Sequence, residues 1–145
     1  MSEIETNGIT GHIVDAAYHL HNALGPGLLE SVYEALLARE LARRKLTVSR
    51  QIPLSFDYNG LYFYEALRVD LLIENQVVVE IKSVDRLTAI HTKQILTYLR
   101  LLDRPIGLLL NFGAPTMKEG LRRVINSHKS SVPSAAPRLC VNPSR

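Results

Sequence analysis

The sequence predicts a single α/β domain, in an α+β arrangement with a mixed sheet, whose elements follow the order αα-βββ-α-β plus a short C-terminal helix. Three observations predict this order. Two apolar stripes at helical spacing open the chain, and three strand-like segments follow them. A continuously apolar run comes directly after a third helical stripe. Such a run is typical of a strand that is buried on both faces and parallel to the strand before the helix.

Three helices are predicted from apolar residues that recur at i, i+3, i+4 and i+7. The first runs from Thr10 to about Leu24, after a loose start over residues 1–8. Gly25-Pro26-Gly27 ends it, because glycine suits the position after a helix and proline blocks continuation. The second helix runs from about Leu28 to Lys45, and the third covers residues 87–102.

Four strands are predicted around and after a hairpin. Val48–Tyr58 and Leu61–Ile73 flank Asn59-Gly60, a strong signal for a tight turn. Val77–Lys82 completes an antiparallel meander, and Ile106–Phe112 is the buried strand that follows the third helix.

The C-terminal part of the chain is predicted to leave the sheet. A short basic helix is expected from about Lys118 to Asn126, so that residues 9–126 form the domain. Residues 127–145 contain Ser, Pro and isolated Arg without periodicity, and we expect them to be disordered.

Composition excludes several classes of protein. The 145 residues carry a net charge of +3, and no apolar run approaches the ~20 residues needed to span a bilayer. Cys140 is the only cysteine, and the acidic N-terminus lacks the apolar region of a secretory signal, so we expect a cytoplasmic protein. There is no zinc-type His/Cys spacing, no Walker or Rossmann glycine pattern and no Ser-centred elbow. Residues 1–85 have net charge −5 and residues 86–145 have +8, which allows contact with phosphates but is equally typical of a solvated surface.

Charged residues stand inside the central hairpin where apolar alternation is expected. Glu80 and Lys82 share one face of their strand. If residues 74–76 form the loop, Asp70 lies opposite Glu80. Buried charges are costly unless they are paired or hold a metal. Carboxylate oxygens suit Mg²⁺, and a neighbouring lysine can orient or deprotonate a water that attacks a phosphodiester.

These residues resemble a known family. The Asp70 … Glu80-Ile81-Lys82 pattern resembles the core of the PD-(D/E)XK nuclease superfamily, and Gln94–Tyr98 is similar to the QxxxY motif of its exonuclease-type branch. Gly27–Tyr33 resembles the GxxExxY signature of a small prokaryotic family within that superfamily. Further similar stretches are His21–Gly27, Gln51–Leu54 and Gly107–Gly113, so that the resemblance covers roughly residues 10–126. One departure is Phe63–Ala66, which is bulkier and more acidic than the family pattern.

The resemblance implies a restriction-endonuclease-like core and a metal-dependent nuclease that hydrolyses phosphodiester bonds of DNA. It implies Mg²⁺ as the cofactor, with Mn²⁺ as a substitute. The expected partner is a nucleic acid, with DNA favoured over RNA. No membrane partner is expected, and a homodimer is possible. The alternative is a catalytically silent nucleic-acid-binding or protein-interaction module on the same fold.

The resemblance also implies roles for individual residues. Asp70 and Glu80 would hold the metal together with the backbone carbonyl of Ile81, and Glu30 would complete the acidic cluster directly or through a water. Lys82 would be the catalytic lysine. The remaining implied roles are those of Gln94, which would orient the lysine, water or phosphate, and of the supporting residues Tyr98, Tyr33, His21 and His91.

Each of these residues also has a purely structural interpretation. Asp70 can form an ion pair with Arg68 or Arg100, and Glu80 with Lys82 can lie on a solvated strand face. Glu30 suits the first turn of a helix through the helix dipole alone. The polar edge of a helix accounts for Gln94 and Tyr98, and each histidine can be structural. A single geometry that explains all of these residues together favours the nuclease interpretation.

Overall fold

A computed structural model describes residues 3–127 and 138–139. The described residues form four helices: α1 (Glu3–Leu24), α2 (Glu30–Arg43), α3 (Ala89–Leu102) and α4 (Met117–Gly120). They also form six strands: β1 (Val48–Tyr58), β2 (Leu61–Ile73), β3 (Val77–Lys82), β4 (Ile106–Asn111), β5 (Leu121–Ile125) and β6 (Arg138–Leu139). Among the helices of this described part, none combines the length and apolarity that crossing a membrane requires.

The strands form one mixed sheet in the order β5-β4-β3-β2-β1-β6. β1, β2 and β3 are an antiparallel meander, whereas β3 and β4 are parallel and are joined through α3. The predicted mixed α/β fold and its parallel β3-α3-β4 unit are therefore confirmed. The predicted bounds of the first three strands are those observed, and the bounds of α2, α3 and β4 differ from prediction by one or two residues.

Helices cover both faces of the sheet, so the core has two parts. On one face Leu37 of α2 packs in a cluster with Val79 of β3 and Leu108 of β4. On the other face Ile95 of α3 packs in a cluster with Val78. Every residue of β4 is buried because β4 lies between these two clusters.

Three expectations concern the ends of the chain: two of them need correction, and the third lies largely outside the described residues. Residues 3–8 belong to α1 and are not a loose start, so the helix begins earlier than Thr10. The helix expected over 118–126 is wrong beyond Gly120, because β5 pairs instead with the otherwise open edge of β4 and satisfies its backbone groups. The expected disordered tail lies largely outside the described residues, apart from β6, which pairs with β1.

The β2–β3 hairpin has the register that the carboxylate pattern requires. Ile73 pairs with Val77 around the loop of residues 74–76, and the pairing continues to Leu71 and Val79. The predicted register is confirmed, and the next two positions are Asp70 on β2 and Glu80 on β3.

The far end of the β1–β2 hairpin is offset by a bulge. Leu54 pairs with Leu67 but Phe56 pairs with Phe63, so β2 carries two extra residues there. Glu65 takes a left-handed conformation with φ of 48°, and its N–H donates to the hydroxyl of Ser55 at 2.8 Å. The bulge falls in the stretch that departs from the family pattern.

A buried asparagine fixes the chain that follows β3. The side chain of Asn111 accepts a hydrogen bond from the N–H of Val84 at 3.0 Å and donates one to the carbonyl of Val84 at 2.8 Å. Its side-chain oxygen also accepts from the N–H of Gly113 at 3.0 Å. The end of β4 and the segment that follows Lys82 are therefore held together.

The close approach at Gly113 leads to a prediction about stability. A Cβ at this position would lie 2.7 Å from the backbone nitrogen of Val84 and also collide with its carbonyl oxygen. We expect Gly113→Ala to lower the free energy of unfolding by about 1–3 kcal/mol or more, because neither backbone atom can rotate away. Urea denaturation measures the change. The control Gly11→Ala, in a helical position with open space, should instead stabilise the protein by up to about 1 kcal/mol. Equal stability of Gly113→Ala and the unsubstituted protein would contradict the tight packing at this turn.

Candidate active site

Regular backbone pairing between β2 and β3 ends at Leu71 and Val79, and beyond it hydrogen bonds from the side chains of Asp70 and Glu80 connect the two strands. The N–H of Asp70 donates to Oε1 of Glu80 at 3.0 Å, and Oδ2 of Asp70 accepts from the N–H of Ile81 at 2.9 Å. Each carboxyl therefore binds the backbone of the opposite strand. The two carboxyl groups lie side by side where the regular pairing of β2 with β3 ends.

Burial makes the ionised forms of both carboxyls costly. Glu80 is 4% exposed, and burial together with the nearby charge of Asp70 raises its pKa to about 8. Burial also raises the pKa of Asp70, and the charge of Glu34 adds to that rise. A proton or a cation is needed to balance this pair of carboxyls.

Lys82 meets α3 at the same place. Its Nζ donates to Oε1 of Gln94 at 3.2 Å. Tyr98 lies one turn further along α3, and burial raises the pKa of its hydroxyl to about 12. The charges of Glu80 and Asp70 contribute to that rise, so the Tyr98 hydroxyl lies close to the carboxyls and stays protonated at neutral pH.

The structure places Glu30 near this group without a direct bond to it. Oε1 of Glu30 accepts a hydrogen bond from the N–H of Ser83 at 3.1 Å, and the hydroxyl of Ser83 donates to the carbonyl of Leu28 at 3.0 Å. Among the described residues, Glu30 forms no hydrogen bond to Asp70 or Glu80. Its observed contact holds the start of α2 against the residue that follows Lys82.

Tyr33 supports the loop that carries Glu30 to this position. Its hydroxyl donates to the carbonyl of Gly25 and accepts from the N–H of Leu28 at 3.2 Å. Its ring is fully buried and stacks on Phe112 with centroids 4.3 Å apart. Tyr33 therefore links the turn between α1 and α2 to the end of β4.

The two histidines considered as supporting residues have structural partners. Nε2 of His21, which is buried, lies 2.8 Å from the carbonyl oxygen of Ala114. Nδ1 of His91 accepts from the N–H of Thr88 at 3.0 Å, which caps the start of α3. These contacts favour the structural interpretation of both histidines.

The structural alternative for Asp70 is not favoured. In the described part of the chain, neither Arg68 nor Arg100 forms an ion pair with it, and its hydrogen bonds are those with Glu80, Ile81 and Gln51.

The sequence interpretation gave no role to a group of three residues beside Asp70. Glu34 of α2 is 6% exposed, and one of its oxygens accepts from Nη2 and Nε of Arg50 at 2.9 and 3.2 Å. The other oxygen accepts from the side-chain amide of Gln51, which also lies 3.4 Å from Oδ1 of Asp70. Glu34 could have been noticed as an acid one helical turn after Glu30, close to the apolar stripe of α2.

An open groove of about 810 Å³ leads to Asp70 from the side of α2. Its walls come from α2, from the loop before it, and from β1 and β2. The lining residues are Leu28, Leu29, Glu30, Ser31, Glu34, Arg50, Gln51, Asp70 and Ser83.

The donor groups at this site suit a hard divalent cation. Within residues 3–127 no group of three or more His, Cys, Asp or Glu side chains forms a ready-made metal cage. Mg²⁺ does not need one, because it keeps several waters and takes one or two carboxylates. Asp70 and Glu80 supply two adjacent carboxyls whose mutual repulsion a cation would relieve, so these residues fit Mg²⁺ or Mn²⁺.

The raised pKa of Glu80 predicts how the stability of the metal-free protein depends on pH. Between the ordinary pKa of 4.5 and about 8, the folded protein keeps a proton that the unfolded chain has released. The free energy of unfolding should therefore fall, by on the order of a few kcal/mol, as the pH rises through this window. Urea denaturation in the presence of a chelator measures it. Glu80→Gln should lose most of this dependence, whereas stability that rises with pH in the unsubstituted protein would show that Glu80 is ionised in the fold.

Comparison with known proteins places this arrangement in a family. The family model of the PD-(D/E)XK nuclease superfamily matches residues 7–124. No curated protein and no solved structure gives a match. Members of this superfamily are generally nucleases and typically use divalent metals. Since the match spans most of the sequence, from within α1 through the whole of β4, the chain belongs to the PD-(D/E)XK nuclease superfamily.

Proposed function

We propose that this chain is a metal-dependent nuclease that hydrolyses phosphodiester bonds of DNA. The observation that carries the proposal is the adjacency of the Asp70 and Glu80 carboxyls to each other and to Lys82. Lys82 lies on β3 with Glu80, and Gln94 of α3 holds it by a hydrogen bond. Membership of the superfamily supports a nucleic acid as substrate. The Gly27–Tyr33 and Gln94–Tyr98 stretches extend the proposal to the GxxExxY family and to the QxxxY motif of the exonuclease-type branch.

Asp70, Glu80 and the carbonyl of Ile81 are the proposed holders of Mg²⁺, with Mn²⁺ as a substitute and Glu30 acting directly or through a water. When bound, the metal would supply Lewis acidity, which polarises a phosphoryl oxygen and lowers the pKa of a nearby water. Lys82 orients the attacking water or offsets the charge that develops on the phosphate. Gln94 restrains the ammonium of Lys82, because its side-chain oxygen accepts a 3.2 Å hydrogen bond from Nζ of Lys82.

Electrostatics favours a metal requirement over direct phosphate binding. Four acidic side chains surround the groove and its inner end, namely Glu30, Glu34, Asp70 and Glu80. Of the nearby cations, Arg50 is already engaged by Glu34, and Lys82 keeps its charge because its partner Gln94 is a neutral amide, so the cations do not match the acids in number. A phosphodiester would meet net negative charge here, so a cation is needed before the substrate can approach.

Several finer features complete the proposal. DNA is favoured over RNA by the resemblance, and the net charge of +8 over residues 86–145 would assist approach to its backbone. The proposed location is the cytoplasm of a prokaryote. A homodimer is proposed because so small a domain needs a partner surface to enclose a duplex.

Replacing the lysine tests the reaction. Lys82→Ala should reduce cleavage of plasmid DNA in Mg²⁺ at least about 100-fold, since a positioned donor that stabilises charge in the transition state contributes about that much or more. Gel analysis of supercoiled and linear DNA over a range of Mg²⁺ and Mn²⁺ concentrations measures it. Arg39→Ala, at an exposed position in α2 and outside the basic region of residues 86–145, is the matched control and should cleave normally.

Two results would count against the nuclease. One is the absence of cleavage by the unsubstituted protein and by Lys82→Ala alike at every metal concentration. The other is DNA binding that needs no metal, weakens with salt and is unchanged by Asp70→Ala, which would identify a catalytically silent binding module.

Metal binding can be tested without substrate. Mn²⁺ at 100 times its dissociation constant should stabilise the fold by about 2.7 kcal/mol, since it binds the folded state alone. Thermal unfolding with and without Mn²⁺ measures the shift. Glu80→Gln should remove most of it, whereas Glu119→Gln, at an exposed carboxylate in α4, should leave it unchanged. Equal shifts in Glu80→Gln and the unsubstituted protein would place the cation elsewhere.

A further inference from the structure

Gln51 has an unusual backbone conformation at a position directly beside Asp70. It lies inside β1 between Arg50, which pairs with Leu71, and Ile52, which pairs with Val69, and is therefore opposite Asp70. Its φ is 50°, in the left-handed region that residues with a side chain seldom adopt. Such conformations persist where the surrounding contacts impose them, and they cluster at functional sites.

In this conformation, the side-chain amide of Gln51 lies between Glu34 and Asp70. Its amide nitrogen donates to one oxygen of Glu34 and lies 3.4 Å from Oδ1 of Asp70, so one NH₂ group connects two carboxyls. Arg50, the preceding residue, binds the other oxygen of Glu34. Consecutive residues of β1 thus hold Glu34, and Glu34 in turn holds the Gln51 amide towards Asp70.

The chemistry of this donor matters because it is neutral. A lysine or arginine at this position would pair with Asp70 and compete with a cation for its oxygens. An amide N–H restrains the carboxyl while leaving its negative charge uncompensated. The arrangement restrains Oδ1 on one side, while Oδ2 is held on the other by the N–H of Ile81.

We infer that Gln51 is a positioning residue, held in a strained conformation by Glu34 and Arg50, that fixes the Asp70 carboxyl for a divalent cation. This inference rests on the proposed function, because it assigns to Asp70 the part of a metal ligand. Residues that orient a ligand in this way typically contribute about 10–100-fold to metal affinity or activity.

Two substitutions at one position separate the backbone from the amide. Gln51→Gly removes the amide and also relieves the left-handed conformation, whereas Gln51→Ala removes the amide and keeps the strain. We expect both variants to bind Mn²⁺ about 10-fold more weakly by calorimetric titration and to show a similar fall in kcat on DNA. KM for DNA should change little. Gln51→Gly should melt at a higher temperature than Gln51→Ala in the metal-free state.

Glu65→Gly is the matched control. Glu65 also lies inside a strand with a left-handed φ of 48°, but it is in the β1–β2 bulge and its backbone N–H, which binds Ser55, is retained in glycine. This variant should be at least as thermostable as the unsubstituted protein, with unchanged Mn²⁺ affinity and cleavage.

The outcomes distinguish this inference from the proposed nuclease function. Unchanged Mn²⁺ affinity and kcat in both Gln51 variants, with only the melting temperature altered, would reduce Gln51 to a structural residue and overturn the inference. If the unsubstituted protein binds Mn²⁺ but cleaves no DNA, the nuclease proposal fails, and weaker Mn²⁺ binding by both variants still supports the role of Gln51. An unsubstituted protein that binds no Mn²⁺ overturns both.

Discussion

The hydrogen-bond exchange between Asp70 and Glu80 is the constraint on which the site depends. A buried carboxyl beside a half-buried one is unfavourable, and the pair is tolerated because each carboxyl accepts a backbone N–H of the opposite strand. These bonds replace the ladder beyond Leu71 and Val79, so the strands part without leaving those donors unpaired. The point at which β2 and β3 separate is therefore also the point at which Asp70 and Glu80 come together.

The rest of the fold brings other groups to that point. β3 lies between two apolar clusters, so its alternate residues have fixed faces, and Glu80 and Lys82 share the face of Val78 that is covered by α3. The parallel β3-α3-β4 unit brings Gln94 to Lys82, and Asn111 fixes the chain that leaves β3 through its bonds to Val84. α2 approaches from the opposite side, where Glu30 binds the backbone just beyond Lys82. Both helical layers thus restrain the same short segment.

Those parts of the site that follow from local periodicity could be predicted. The three-residue loop at 74–76 determines the register of β2 and β3, and the two-residue period of a strand places Glu80 and Lys82 on one face. The contacts of Gln51 could not be predicted in this way, because they depend on a left-handed residue and join α2, β1 and β2. For β5 the reason is similar. Its basic sequence has no strong strand pattern, and it becomes a strand because β4 has a free edge.

The same residues link protonation to metal binding. In the absence of a cation, burial and the neighbouring Asp70 raise the pKa of Glu80 to about 8, so that near neutral pH its carboxyl carries a proton. A divalent cation would have to displace that proton to use the same oxygens, and it would then relieve the repulsion between the two carboxyls. A proton and a divalent cation therefore compete for the carboxyl oxygens of Glu80, and either one relieves the repulsion between Glu80 and Asp70. A neutral amide at Gln51 fits this competition better than a basic side chain would, because it restrains Asp70 without supplying the missing positive charge.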